Sequence, residues 1–165
     1  SKLNYAVSDS QKIAGALESW QEDYEIFVLN DETGKAREEL RPTKKNIERK
    51  IAEIISKKPD QLLFYFSGHG FQDNQRGNAL ALADTKILIG DEENPKDPNN
   101  PKKIIKESEN ILMLKEDLTD KLKIAKIRTL LLIDACRDEV SIVQGTRSTG
   151  SDLEKFGKLP EELVN

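Results

Sequence analysis

Residues 62–70 read LLFYFSGHG, and this stretch decides the fold of the chain. Its first five residues are continuously apolar, which is typical of a strand that is covered on both faces in a parallel sheet. Leu130–Ile133 (LLLI) has the same pattern. The first run leads directly into the polar cluster SGHG at residues 67–70, and the second leads into DACR at residues 134–137. We therefore predict two core strands, each with a polar cluster at its carboxyl end.

Helical patterns alternate with these strands. Residues 10–20 carry apolar side chains at helical spacing, and Ser8 and Asp9 precede them as suitable N-caps. Thr43 is the predicted N-cap of a second amphipathic helix, and residues 114–124 predict a further one. The alternation of strands and helices predicts an α/β domain.

The remaining segments are shorter or more polar. Tyr24–Leu29 (YEIFVL) predicts a strand because it is aromatic and β-branched, and residues 78–84 predict another short one. Residues 90–106 are polar and rich in proline, so we expect a mobile surface loop near there. Residues near 140–165 are rich in serine, threonine, glycine and charge, and we expect a flexible tail. We predict that residues 1–165 form a single domain.

Composition excludes several classes of protein. The chain has 165 residues, 26 basic against 30 acidic side chains and a net charge of −4, so it lacks the basic field that phosphate binding requires. No apolar run approaches the ~20 residues that span a bilayer, and no signal peptide is recognisable at the start. We predict a soluble, cytoplasmic protein that binds neither nucleic acid nor membrane. The single cysteine, Cys136, cannot form an internal disulfide.

The two polar clusters carry the chemistry. Ligands of open α/β sheets bind beyond the carboxyl ends of the strands, so His69 and Cys136 are expected to face one cleft. An imidazole can take the proton of a thiol and later return it to a leaving amine, which is acyl-transfer chemistry. The backbone N–H groups of Gly70 and Cys136 could form an oxyanion hole. The alternative is structural: a lone cysteine is most often a small buried hydrophobe, and a lone histidine often has a structural role.

The segments FYFSGHG and LLLIDACRD resemble the histidine and cysteine motifs of caspase-like cysteine peptidases, in particular the metacaspases and their prokaryotic members, the orthocaspases. The resemblance covers roughly residues 3–90 and 110–150. It implies a three-layer sandwich with a mostly parallel central sheet flanked by helices. It also implies that Cys136 is the nucleophile and His69 the general acid/base of a dyad. Further strands, similar to those of a caspase small subunit, are expected from a partner, so we expect an incomplete sheet in this chain.

Asp134 predicts the specificity of such a peptidase. Because residues two apart on a strand point the same way, its carboxylate would lie beside the Cys136 sulfur, repel an acidic substrate side chain and pair with Arg or Lys. By the same resemblance, Ser67 and Asp9 match positions that line the substrate pocket. The alternatives are an N-cap role for Asp9 and charge balance between Asp134 and Arg137.

The resemblance implies protein or peptide substrates that are cleaved after Arg or Lys. Self-processing is predicted at Arg147, within the exposed-looking stretch GTRS. We expect no cofactor. Asp84 matches one plausible calcium-ligand position of metacaspases, but Val143 stands where a further acid would be expected, and Ca²⁺ needs ~6–8 oxygen ligands. The competing function is a catalytically silent caspase-like signalling or interaction module.

Overall fold

The computed structural model describes residues 5–19, 24–73, 76–92, 95, 99 and 102–137. These residues form four α-helices, four strands, one 3-10 turn and one π-helical turn. They are α1 (Ala6–Ser19), α2 (Asp31–Ala36), a 3-10 turn (Glu38–Leu40), α3 (Lys44–Lys57), β1 (Gln61–Asp73), β2 (Gly77–Glu92), β3 (Lys102–Met113), a π-helical turn (Leu114–Thr119), α4 (Asp120–Ile124) and β4 (Arg128–Arg137).

The strands form one sheet in the order β3-β2-β1-β4. β1 and β4 are parallel, as the two apolar runs predict, and they pair without interruption from Gln61 opposite Arg128 to Gly70 opposite Arg137. β2 is antiparallel to both β1 and β3. The predicted α/β class is therefore confirmed, and the described sheet is mixed in direction.

Helices α3 and α4 cover one face of the β1–β4 pair. Ile51 of α3 and Leu122 of α4 are buried together with Leu118 of the π-helical turn. Phe64 of β1 and Leu131 of β4 pack against them. The apolar face of α3 and its N-cap are as predicted, because the Thr43 hydroxyl accepts a hydrogen bond from the backbone N–H of Asn46 at 3.3 Å.

The other face of β4 is open among the described residues. Leu130 is 56% exposed and Leu132 is 40% exposed. The prediction that this run is covered on both faces is therefore wrong for the described part of the chain. A continuous apolar run predicts that a strand is buried, but it does not identify the segments that cover each face.

Two segment predictions need correction. Tyr24–Leu29 forms no strand; the Phe27 ring instead lies 4.0 Å from Lys50 Nζ on α3, and Glu25 pairs with Lys57. Strand propensity needs a neighbouring strand edge to be realised, and here the segment packs on a helix. The predicted loop at 90–106 is shorter, because β2 runs to Glu92 and β3 begins at Lys102, its cross-strand partner.

The first helix also begins earlier than predicted. α1 starts at Ala6, so Ser8 and Asp9 lie inside its first turn, and the N–H of Asp9 donates to the Tyr5 carbonyl at 2.8 Å. The N-cap role of Asp9 is therefore wrong. Within the described ranges, no helix combines the length and the apolar character needed to cross a membrane.

Candidate active site

The parallel register of β1 and β4 brings the two polar clusters together. His69 is the direct partner of Cys136, and Ser67 is the direct partner of Asp134. Adjacent strands are ~4.8 Å apart, so each motif residue has its counterpart on the neighbouring strand within one strand spacing. The sequence prediction that these clusters are neighbours is confirmed.

Strand alternation sorts the residues of the site by face. Tyr65, Ser67 and His69 are two residues apart on β1, so they share one face of the sheet. Positions 132, 134 and 136 of β4 are their partners on that same face. His69 is half-buried and Asp134 is exposed. The candidate site is therefore the face of the sheet opposite to the packing of α3 and α4.

The two glycines of the SGHG cluster alternate with Ser67 and His69, so they lie on the other face of the sheet, where α3 and α4 pack. A Cβ on Gly68 would lie 2.7 Å from Cε1 of the Phe66 ring, closer than real Cβ contacts. A Cβ on buried Gly70 would lie 3.1 Å from the Cβ of Ala135, a tight contact. The absence of a side chain at these positions thus leaves room for Phe66 and Ala135.

Two carboxylates and two hydroxyls share the candidate face. Tyr65 and Ser67 are two residues apart on β1, so both hydroxyls lie on this face of the sheet. Burial raises the pKa of the Tyr65 phenol, and the carboxylates of Asp134 and Asp9 raise it further, while the Ser67 hydroxyl acts in the opposite direction. Because α1 contacts β1, Asp9 reaches this face from a helix, whereas Asp134 reaches it from a strand.

The local partners of the carboxylates are weak. Asp9 has a long contact of 3.9 Å with Lys12, whose side chain is largely exposed, and its Oδ1 is 3.5 Å from the Ser8 hydroxyl. No ion pair joins Asp134 to another side chain in the described ranges. The alternative that Asp134 balances Arg137 involves a side chain outside the described part.

Sequence reasoning missed Tyr65 because it lies within the apolar run LLFYF. The available signal was its position two residues before Ser67, which places a hydroxyl on the polar face of a strand that otherwise reads as core. Arg147, the predicted processing position, lies outside the described residues.

Asp84 has a structural partner. Its Oδ1 accepts a hydrogen bond of 3.0 Å from the backbone N–H of Lys44, the first residue of α3, so this carboxylate helps to hold the start of that helix. No group of three or more His, Cys, Asp or Glu side chains in the described part of the chain is arranged to hold a metal ion. Calcium carries no step in the chemistry proposed below.

Comparison with known protein families assigns the chain. The model of the caspase domain, peptidase family C14, matches residues 1–162. The chain belongs to the caspase-domain family. This membership makes it a caspase-like cysteine peptidase by family and agrees with the α/β fold and the paired motifs. No curated protein and no solved structure matches this chain significantly.

Proposed function

We propose that this caspase-domain protein is a cysteine endopeptidase that hydrolyses peptide bonds after Arg or Lys. The observation that carries the proposal is the β1–β4 register, which opposes His69 to Cys136 and Ser67 to Asp134. One pair supplies a base and a nucleophile, and the adjacent pair supplies a hydroxyl and a carboxylate for a basic side chain. The dyad and the pocket are thus neighbours on one face.

In the proposed acylation step, the His69 imidazole takes the proton of the Cys136 thiol. The thiolate attacks the carbonyl carbon that follows the basic residue, and a C–S bond forms. The backbone N–H groups of Gly70 and Cys136 stabilise the resulting oxyanion, an effect worth about 2.7–4 kcal/mol per donor in other enzymes. The imidazolium then protonates the leaving amine as the C–N bond breaks, which leaves an acyl-enzyme.

Deacylation uses the same groups in reverse. Water loses a proton to the His69 imidazole and attacks the thioester carbonyl. The C–S bond breaks, the carboxylic acid product leaves, and the imidazolium returns the proton to the Cys136 sulfur. No cofactor is needed for either step.

Specificity in this proposal comes from charge. The Asp134 carboxylate pairs with the cationic side chain that precedes the scissile bond, and Asp9 and Ser67 line the same pocket. An acidic substrate side chain would meet like charge on this face and would be rejected. This is the substrate preference that metacaspases and orthocaspases have, and it separates the chain from peptidases that cleave after Asp.

The open side of β4 supports a partner for the sheet. β4 is an edge strand in the described sheet, and its residues Leu130 and Leu132 are exposed on one face. A strand with an unpaired edge and exposed apolar side chains favours the addition of further strands. We propose that strands similar to those of a caspase small subunit pair here and complete one wall of the cleft.

The experiment that tests the function compares fluorogenic peptides that differ only in the residue before the scissile bond, with Arg, Lys, Asp or Asn in that position. We expect the wild-type protein to cleave only after Arg and Lys. Cys136→Ala and His69→Ala should each lower kcat/KM by on the order of a thousandfold or more. Arg-directed cleavage that survives Cys136→Ala unchanged would exclude the dyad. An activity-based thiol probe that fails to label Cys136 would favour the catalytically silent module.

A further inference from the structure

We propose that Tyr65 is a specificity-determining residue of this site, whose phenol, on the sheet face shared by Ser67 and Asp134, makes the pocket prefer an arginine side chain to a lysine side chain. This inference rests on the proposed function. It assigns a role to a residue that lies outside the SGHG and DACR motifs, within the apolar run of β1.

The position of Tyr65 follows from the strand. It precedes Ser67 by two residues on β1, and its partner on β4 is Leu132, which itself precedes Asp134 by two residues. Side chains on a strand stand roughly perpendicular to the sheet and lean along the strand, so the ring can extend toward Ser67 and the next pair. The effect of the Ser67 hydroxyl on the pKa of the phenol agrees with this placement.

The charges around Tyr65 agree with this placement. Asp134 lies on the same face of the sheet, opposite Ser67, and α1, which carries Asp9, contacts β1. Both carboxylates raise the pKa of the phenol. The phenol oxygen is thus a neutral acceptor on an acidic face.

Such an arrangement distinguishes the two basic side chains. A guanidinium is planar and presents its N–H donors in a rigid fork, so it can donate to a carboxylate and to the phenol oxygen at the same time. It also stacks on aromatic faces. An ammonium group is a compact point charge that the carboxylates satisfy without the phenol. Tyr65 should therefore contribute to the binding of arginine more than to that of lysine.

The test measures kcat/KM of the full-length protein for two peptides that differ only in Arg or Lys before the scissile bond. Tyr65→Phe removes the hydroxyl and keeps the ring. We expect a loss on the order of tenfold for the Arg peptide, mainly in KM, and a much smaller change for the Lys peptide. Ser67→Ala should shift the ratio in the same direction. Tyr5→Phe is the matched control, because Tyr5 is 75% exposed at the start of α1.

A second measurement does not depend on catalysis. Tyr65 is the only tyrosine left in the variant Tyr5→Phe/Tyr24→Phe, so its ionisation can be followed by tyrosinate absorbance. Adding Asp134→Asn should lower the pKa of Tyr65, since it removes one of the nearby negative charges. An unchanged pKa would overturn the proposed proximity.

The outcomes separate the two proposals. A wild-type protein that cleaves after neither Arg nor Lys overturns the proposed function. A protein that cleaves after both, with an Arg to Lys ratio that Tyr65→Phe leaves unchanged, overturns only the role of Tyr65. Equal losses for both peptides would likewise show that the hydroxyl has a structural role alone.

Discussion

Ser67 lies directly opposite Asp134 in the parallel β1–β4 pair, two positions before the opposed residues His69 and Cys136. In the proposed function, the Asp134 carboxylate binds the basic substrate side chain. Asp134→Asn should lower kcat/KM for Arg and Lys peptides by roughly tenfold to a hundredfold, because a charge-assisted hydrogen bond is lost. The measurement is a peptide library that varies only the residue before the scissile bond.

The matched control is Asp60→Asn. Asp60 is an exposed carboxylate immediately before β1, at the opposite end of the parallel β1–β4 pair from Asp134. Asp60→Asn removes the same charge far from the candidate site, so the preference for Arg and Lys before the scissile bond should remain unchanged. An Asp134→Asn protein that keeps its full preference for Arg would refute the pocket assignment.

The proposed preference for Arg and Lys predicts self-processing at Arg147. Incubation of the active protein should produce a cut between Arg147 and Ser148, and mass spectrometry of the products identifies it. Arg147→Gln should remain uncut at this bond because the cationic side chain is lost. Cys136→Ala should also remain intact, which distinguishes self-processing from a contaminating protease. Fully active protein with an intact Arg147–Ser148 bond would show that no cut there is required.

Gly68→Ala should destabilise the protein by about 1–3 kcal/mol, because the new methyl group collides with the Phe66 ring. Chemical denaturation measures this change. Gly15→Ala is the matched control, since nothing lies within 4 Å of its Cβ position in the middle of α1. That substitution should stabilise the protein by about 0.5–1 kcal/mol. Equal effects of the two changes would contradict the packing role of Gly68.

Two lysines occupy backbone conformations that favour glycine. Lys58 after α3 has φ 51°, and Lys126 after α4 has φ 60°. The left-handed conformation costs an L-residue roughly 1–2 kcal/mol, so Lys58→Gly and Lys126→Gly should each raise the melting temperature. Lys45→Gly, an exposed helical position on α3, should lower it by contrast. A decrease in all three variants would argue against backbone strain at the two helix ends.

Asp117 should make stability depend on acid pH. Burial on its own would raise the pKa of this carboxyl, but hydrogen bonds from Lys44 and from the Met113 N–H, and the charges of Lys44 and Lys121, hold it below the ordinary value of 3.8. A lowered pKa in the folded state gives stability that is present above the ordinary value and is lost as the pH falls through the folded value. The free energy of unfolding should therefore decrease below about pH 4.

Asp117→Asn provides the comparison. The amide cannot ionise, so the variant should be less stable than the wild type at pH 7 and should lose less stability on acidification. Urea denaturation across the acidic range measures both slopes. Asp120→Asn on α4 is the control, because that carboxylate lies in an exposed pair with Lys115 and should matter little. Parallel pH curves for the wild type and Asp117→Asn would exclude this linkage.

Much of the fold was predictable from local pattern. Leu62–Phe66 and Leu130–Ile133 are strands, Thr43 caps a helix with an apolar face, and residues 114–124 are helical, although the first turn is π-helical. These features depend on neighbours in sequence, such as capping oxygens and the period of apolar residues. The strand predicted at Tyr24–Leu29 depends on a partner edge, and local pattern carries no information about that partner.

The candidate site divides in the same way. The motifs at His69 and Cys136 could be recognised because their residue types and their positions after apolar runs are local properties. The packing reason for Gly70 could not be recognised, because a Cβ there would meet Ala135 on the neighbouring strand β4. The helical cap provided by Asp84 also joins residues far apart in the chain.

The residue types and their local patterns show which chemistry this protein can offer: one thiol, one imidazole, and carboxylates near the ends of strands with apolar core patterns. They do not show that the register of β1 and β4 opposes His69 to Cys136, or that α1, which carries Asp9, contacts β1. Residue types and periods are local properties, whereas strand register and the approach of a helix to a sheet arise from packing between distant segments.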